Sequence, residues 1–230
     1  MPPHQPSRPS PAGRWTPTAP SGGTTPTVSS TGTAAPLSSV PMEGGAWWQH
    51  GKLHRDDGPA AEGPNGSTFW YQHGKIHRDG GPAIEWADGA KAWYQHGRPH
   101  RDGGPAIEYA DGTKLWYQHD KLHRDDGPAV EHADGYRAWY RRGKLHRDGG
   151  PAAEYADGTK EWYQRGDLHR DGGPAVEETD GTKEWRQHGW LHRDDGPAVE
   201  RADGTKAFWV LGRRLTKDEF RMWFPGASTD

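Results

Sequence analysis

Several features of a conventional globular core are scarce or missing in this sequence of 230 residues. It has no cysteine, which excludes disulfide frameworks and thiolate zinc sites. Only 30% of the residues are apolar, and no apolar run is long enough to span a bilayer, so neither a deep core nor a transmembrane segment is expected. The 29 basic and 32 acidic residues are interleaved, which leaves no basic patch that would attract nucleic acid.

Recognisable catalytic signatures are missing as well. There is no Gly-x-Ser-x-Gly motif, Walker loop or Cys-His pair, and the His-Arg-Asp tripeptides lack the Asn, Gly-rich loop and paired Lys of a protein kinase. A metal site could be started from His50 and His54, but an Arg accompanies every copy and no compact ligand set exists. We therefore expect neither an enzyme nor a cofactor. The amino terminus has no cationic start followed by an apolar stretch, which favours a cytoplasmic protein.

What the sequence does contain is an uninterrupted repeat of 23 residues. The surrounding unit is close to Trp-Tyr-Gln-His-Gly-Lys-Leu-His-Arg-Asp-Gly-Gly-Pro-Ala-Val-Glu-Tyr-Ala-Asp-Gly-Thr-Lys. Such self-similarity is typical of a repeat protein in which each copy is one supersecondary unit stacked on its neighbours. The tripeptide His-Arg-Asp marks the copies and begins at His54, His77, His100, His123, His146, His169 and His192.

Turn dipeptides divide each copy into two strands. The recurring Asp-Gly and His-Gly pairs are typical of tight hairpin turns, which need the positive φ that Gly adopts without strain. Asp120 replaces the Gly of one His-Gly pair, a change that such a turn tolerates. Residues 159–164, between two turns, are expected to form one strand, and the longer return path 144–156 a strand with a kink or bulge at Gly-Gly-Pro. An even number of strands keeps all copies in the same orientation.

The sequence therefore predicts an all-β protein, an open single-layer antiparallel β-hairpin ribbon or solenoid of about seven 23-residue repeats. Residues 1–44, rich in Pro, Ser and Thr, are expected to be a disordered tail, and residues 45–212 to form the repeat domain. Residues 213–230 are expected to contain a short capping helix, which would cover the last strand, and a tail.

Two sequence signals define that helix. Thr216 and Glu219 have the spacing of a capping box. Phe220, Trp223 and Phe224 are expected to share its apolar face.

The recurring pattern Asp-Gly-Thr-Lys-x-Trp-Tyr-x-x-Gly-Lys-x-His resembles MORN repeats over positions 47–212, about three quarters of the chain. It is more similar still to the variant repeats of bacterial and phage proteins that carry Trp-Tyr-x-Asn-Gly-x-x-His-Arg-x-Asp-Gly-Pro-Ala. The resemblance implies an open ladder of β-hairpins that serves as a scaffold or as a protein- or lipid-binding surface. It implies no reaction of its own.

Hairpin pairing predicts which side chains meet. Around the turn at 96–97, Tyr94 is opposite Pro99 and Trp93 is opposite His100, so Trp and His share one face of the sheet while Tyr and Leu share the other. We expect each His to stack on its Trp and to bond a neighbouring carboxylate or backbone group. The Arg and Asp of each copy are expected to form charge ladders with the Lys and Glu of adjacent strands.

These observations favour a non-enzymatic repeat scaffold that binds another protein along one face of the ribbon. The alternative is recognition of a lipid surface or of a small ligand, such as a sugar or a choline-like group, through the aromatic and Arg rows. Departures from the period at Pro99, Tyr136, Arg186 and Trp190 are interpreted as drift. The candidate binding residues are Trp70, Trp93, Trp116, Trp139, Trp162, Tyr94, Tyr117, Tyr140, His77, His100, His123, His146, Arg78, Arg101, Arg124 and Arg147.

Overall fold

The computed structural model describes residues 45–229, and the tail predicted at residues 1–44 lies outside them. We number the repeat copies by their first tryptophan, from Trp47 in copy 1 to Trp185 in copy 7. Each copy contributes to two kinds of β-structure, a long sheet shared by all copies and a short hairpin of its own.

The long sheet has fifteen antiparallel strands, which lie side by side in the order in which they occur along the chain. This hairpin order confirms the predicted all-β repeat fold. The strands are Ala61–Glu62, Thr68–Phe69, Ile84–Glu85, Lys91–Ala92, Ile107–Glu108, Lys114–Leu115, Val130–Glu131, Arg137–Ala138, Ala153–Glu154, Lys160–Glu161, Val176–Glu177, Lys183–Glu184, Val199–Glu200, Lys206–Val210 and Arg213–Leu215.

The short hairpins, one in each copy, pair two strands of two residues. Both residues of their turns have positive φ, as in His96 at 52° and Gly97 at 83°, which is the conformation of a type I′ turn. Tyr94 pairs with Pro99, as predicted. The strand pairs are Trp48–Gln49 with Lys52–Leu53, Tyr71–Gln72 with Lys75–Ile76, Tyr94–Gln95 with Arg98–Pro99, Tyr117–Gln118 with Lys121–Leu122, Tyr140–Arg141 with Lys144–Leu145, Tyr163–Gln164 with Asp167–Leu168, and Arg186–Gln187 with Trp190–Leu191.

The predicted six-residue strand is divided in two at its tryptophan. Lys160–Glu161 belongs to the long sheet, whereas Tyr163–Gln164 belongs to a short hairpin. The N–H of Trp162 donates to the carbonyl of Ala175 (2.8 Å), and the carbonyl of Trp162 accepts from the N–H of His169 (2.9 Å). The chain therefore changes its pairing partner at this residue. The return path is likewise interrupted, over a longer segment than the predicted kink.

The long sheet has one apolar and one charged face. Ile107 lies opposite Ala92 and Leu115, whereas the adjacent glutamate lies opposite lysines on both sides, and directly opposite residues share a face. Most of the buried residues are alanine or valine. Of the described residues, the largest side chains that are fully buried are Ile84 and Phe220, so the core is thin.

The helix Lys217–Trp223 follows the last strand of the long sheet. Oγ1 of Thr216 accepts from the N–H of Glu219 (3.2 Å), and the Glu219 carboxylate accepts from the N–H of Thr216 (2.7 Å). The predicted capping box is therefore confirmed. Within residues 45–229, no helix has the length and apolar character needed to cross a membrane.

The helix packs on the end of the repeat through phenylalanine rings. Phe220 is fully buried and its ring centroid lies 4.7 Å from that of Phe208 and 5.1 Å from that of Phe224. The prediction that Trp223 shares this face is wrong, since Trp223 is 51% exposed. Three helical residues turn through about 300° rather than a full circle, which places Trp223 beside the Phe220 face and near Arg213, whose Cζ lies 5.4 Å from the indole centroid.

Candidate functional site

Arginine, rather than histidine, covers each repeat tryptophan. The guanidinium of every His-Arg-Asp loop lies over the indole ring of its own copy, with Cζ 3.8–4.2 Å from the ring centroid. The prediction that His stacks on Trp is therefore wrong, because the loop folds back and places the following residue over the ring. The pairs are Trp47–Arg55, Trp70–Arg78, Trp93–Arg101, Trp116–Arg124, Trp139–Arg147, Trp162–Arg170 and Trp185–Arg193.

In copies 2 to 7, two hydrogen bonds and a glycine fix the stacked arginine. In copy 6, Nη1 of Arg170 donates to the carbonyl of Pro174 (3.1 Å) and to Oε1 of Glu177 (2.7 Å). A Cβ atom on Gly173 would lie 3.0 Å from Cζ of Arg170, so the glycine before the proline leaves room for the guanidinium. The predicted pairing of Arg with Glu is therefore confirmed, although it joins residues of one copy.

The loop histidine ties its copy to the next. Nδ1 of His77 accepts a hydrogen bond from the backbone N–H of His96 (3.1 Å), and Nε2 lies 3.3 Å from Oδ1 of Asp79. Because Nδ1 is an acceptor, the ring proton lies on Nε2, and in the equivalent loop of copy 1 Nε2 of His54 donates it to Oδ1 of Asp56 at 3.1 Å. The predicted bonds of His to a carboxylate and to the backbone are both confirmed. The loop aspartate pairs with this histidine rather than with a lysine of an adjacent strand.

Two backbone hydrogen bonds accompany the histidine bond at a regular junction between short hairpins. Between copies 2 and 3, the N–H of Gly97 donates to the carbonyl of Ile76 (2.8 Å), and the N–H of Arg78 donates to the carbonyl of Tyr94 (3.3 Å). The first of these bonds recurs at every junction whose turn has glycine as its second residue, in a His-Gly, Arg-Gly or Leu-Gly pair. It therefore holds each hairpin close to the one before it.

The junction between copies 3 and 4 departs from this pattern at Pro99 and Asp120. Of the seven junctions that can be compared among the described residues, this one alone lacks the bond from the turn N–H to the preceding hairpin, here Asp120 to Pro99. It also lacks the bond from the N–H of His119 to Nδ1 of His100. The His100 side chain is 31% exposed, against 6–15% for the other loop histidines.

The turn residue explains the gap. At a regular junction the turn glycine packs on the stem of the preceding lysine, and a Cβ on Gly143 would lie 3.4 Å from Cβ of Lys121. A Cβ atom at the turn position would therefore already touch the lysine side chain. The carboxylate of an aspartate at this position extends beyond the Cβ and needs further space. Asp120, with φ of 61°, instead forms an ion pair with Nε of Arg98 at 3.2 Å. This ion pair therefore joins the hairpins of copies 3 and 4 in place of the regular backbone bond.

A cavity of about 360 Å³ lies at the same junction, between the His-Arg-Asp loops of copies 3 and 4, and we call it the copy 3–4 cleft. It brings together six of the predicted binding residues, from two loops and one strand. The cleft is lined by His100, Arg101, Asp102, Gly103, Gly104, Trp116, Tyr117, Gln118, His123, Arg124, Asp125 and Asp126.

The remaining predicted binding residues lie at regular positions outside the cleft. The tryptophans among them are half-buried beneath arginine, and Tyr140 pairs with Leu145 and packs with it against Val130, which confirms that Tyr and Leu share a face. Burial raises the pKa of the Tyr94 and Tyr140 hydroxyls. These residues are Trp70, Trp93, Trp139, Trp162, Tyr94, Tyr140, His77, His146, Arg78 and Arg147.

A buried carboxylate was missed by the sequence reasoning. Glu161 is 2% exposed on the apolar face of the long sheet, where copy 3 has Leu115. The hydroxyls of Tyr155 and Tyr163 both donate to its Oε2, each at 2.9 Å. Burial and the charge of Glu161 raise the pKa of the Tyr155 hydroxyl. Comparison of the copies carries the signal, because Glu161 stands where all but one of the other copies have an apolar residue.

The next copy repeats this exchange with a different partner. Glu184 occupies the position equivalent to Glu161, and its Oε2 accepts from Nε of Arg186 at 2.9 Å. Arg186 replaces the tyrosine of the earlier copies. The departure at Arg186 is therefore compensated by the carboxylate beside it.

No group of three or more His, Asp or Glu side chains between residues 45 and 229 is arranged to hold a metal ion. No protein-family model and no curated protein matches the chain.

Proposed function

We propose that this chain is a non-enzymatic repeat scaffold that binds another protein along the face on which the His-Arg-Asp loops recur. The observation that carries the proposal is the row of loop aspartates, whose side chains are 59–91% exposed. Each carboxylate lies 3.1–3.3 Å from Nε2 of a histidine in the same loop, and this contact reduces the conformational entropy that is lost when a partner binds. The row is Asp56, Asp79, Asp102, Asp125, Asp148, Asp171 and Asp194.

The spacing of the row suits a macromolecule. Each copy adds two strands to the long sheet, and strands lie about 4.8 Å apart, so equivalent carboxylates recur at about 10 Å. A partner with cationic groups at a similar spacing can contact several copies at once, and such multivalent contact strengthens binding without any single strong site. The cover of arginine over each tryptophan supports the same choice, because a ligand that stacks on the indole ring would first have to displace the guanidinium.

Binding to a purified partner tests the proposal. Proteins retained by the immobilised full chain from a lysate of its source are purified and titrated one by one. We expect one of them to bind with a micromolar or lower Kd and to slow amide hydrogen exchange in the loops of at least three consecutive copies. Failure to obtain such a protein, or protection confined to residues outside the loops, would refute the proposal.

A matched pair of variants shows whether the aspartate row makes the contact. Both variants change four Asp to Asn and therefore alter the net charge equally. We expect only the loop variant to weaken binding, by tenfold or more, since its residues face the partner. The loop variant carries Asp79→Asn, Asp102→Asn, Asp125→Asn and Asp148→Asn, and the control carries Asp88→Asn, Asp111→Asn, Asp134→Asn and Asp157→Asn at the Asp-Gly turns.

A further inference from the structure

We infer that the copy 3–4 cleft anchors an extended segment of the partner protein that carries a basic side chain. The inference rests on the proposed function, because it names the place at which the scaffold holds its partner most firmly. It starts from the one junction where the repeat is open rather than closed.

The size of the cleft fits such a segment. Its volume of about 360 Å³ falls within the range of about 300–1,000 Å³ that binding sites in proteins occupy. It lies between two loops and one strand rather than within a single copy. An extended chain can therefore lie between copies 3 and 4, whereas at the other junctions the neighbouring hairpins contact each other directly.

Main-chain groups released at this junction provide the hydrogen bonds. At regular junctions the N–H equivalent to that of Asp120 donates to the carbonyl equivalent to that of Pro99. In copies 1, 2, 6 and 7 the N–H equivalent to that of Arg101 also donates to the carbonyl equivalent to that of Tyr117. Within the described chain neither bond forms between copies 3 and 4. The Arg101 N–H and the Tyr117 carbonyl belong to residues that line the cleft, and the other two groups belong to the adjoining turn and strand. Extended peptides bind by main-chain hydrogen bonds of this kind.

The charges around the cleft specify a basic side chain. Both guanidiniums are already neutralised, since Arg101 pairs with Glu108 at 2.6 Å and Arg124 pairs with Glu131 at 2.9 Å. Asp126 pairs with Nε of Arg124 at 3.0 Å, which leaves two further lining carboxylates, Asp102 and Asp125, whose side chains are 91% and 78% exposed. A lysine or arginine of the segment would complement this excess of negative charge.

The decisive variants close the cleft or remove its charge. Pro99→Leu with Asp120→Gly restores the residues found at regular junctions, and we expect it to re-form the missing hydrogen bonds and raise the melting temperature. Asp102→Asn with Asp125→Asn removes two carboxylates and leaves the cleft open. The matched control removes two carboxylates outside the aspartate row and carries Asp88→Asn and Asp180→Asn at Asp-Gly turns of other copies.

The probe is a random dodecapeptide library displayed on phage and panned on the full chain. Enriched sequences are expected to share a Lys or Arg at a fixed position. A fluorescein-labelled synthetic copy of an enriched peptide, titrated by fluorescence anisotropy, should bind at least tenfold more weakly to the closed variant and to the Asp102→Asn/Asp125→Asn variant. Binding to the control variant should stay within twofold of that to the native chain.

Two results would overturn the inference, namely no enriched peptide, or enriched peptides that bind the closed variant as tightly as the native chain. The proposed function is judged separately with the purified partner. A partner that protects consecutive loops but binds the closed variant without loss leaves the scaffold in place and removes the cleft as its anchor.

Discussion

Replacing Arg170 by alanine removes three contacts that can be summed. The guanidinium lies 3.9 Å from the ring centroid of Trp162, and a half-exposed cation–π contact is worth about 0.5–1 kcal/mol. Its bond to the Pro174 carbonyl, at 3.1 Å, contributes about 1.5 kcal/mol as a bond from a charged donor. The ion pair with Glu177, at 2.7 Å, adds about 0.5–1 kcal/mol near the surface. Together these lower the free energy of unfolding by about 3 kcal/mol.

Urea denaturation of the full chain measures this loss, and two variants control it. Arg165→Ala removes the same amino acid from an exposed turn, and its expected cost is below about 0.5 kcal/mol. Arg170→Lys keeps the charge but loses the planar fork, so it should recover less than half of the loss. Equal stabilities of the two alanine variants would refute the stacked-arginine account, and full recovery by lysine would show that charge alone matters.

Three further changes test other contacts. His77→Ala leaves the N–H of His96 without its acceptor. In urea denaturation it should cost about 1–3 kcal/mol more than His100→Ala, because the His100 ring accepts no such bond within the described chain. Equal costs of the two variants would contradict this expectation. Phe220→Ala should lower the free energy of unfolding by about 3–5 kcal/mol. Met222→Ala, at a residue that is 72% exposed, should lower it by less than about 0.5 kcal/mol. Thermal unfolding compares the two variants, and similar losses of stability would refute the role of the helix. Burial raises the pKa of the Tyr71 and Tyr117 hydroxyls above 10.0, so the unfolded chain loses these protons at a lower pH than the folded chain. The contribution of the two tyrosines to stability is therefore constant below pH 10 and should be lost as the pH rises through the folded-state values. Urea midpoints that stay flat above pH 10 would contradict this expectation.

The sequence was sufficient for the periodic part of the fold because its signals are local. Positive φ at the His-Gly turn fixes a two-residue hairpin, and that hairpin fixes the pairing of Tyr94 with Pro99. The capping box of Thr216 and Glu219 spans one helical turn. The break at Trp162 could not be predicted, since it depends on the opposite directions of its N–H and carbonyl bonds.

The candidate site was only partly visible in the sequence. Its residue types were identified from the repeat, but the stacking of Arg124 on Trp116 joins residues across a folded loop and has no local signal. The cleft itself arises from contacts that fail to form. Its one trace in the sequence is Asp120, which breaks a row of glycines, and the space that the row requires becomes evident only from the packing of glycine on lysine at other junctions.

Residue-resolved amide hydrogen exchange of the full chain tests the central claim, that neighbouring hairpins cohere through recurring junction contacts and that the described junction between copies 3 and 4 lacks two of them. The account predicts slow exchange at the turn amides of residues 96, 142, 165, 188 and 211, each of which donates to a loop histidine. It predicts fast exchange at residues 119 and 120. Protection of these two amides equal to that of their counterparts would contradict it.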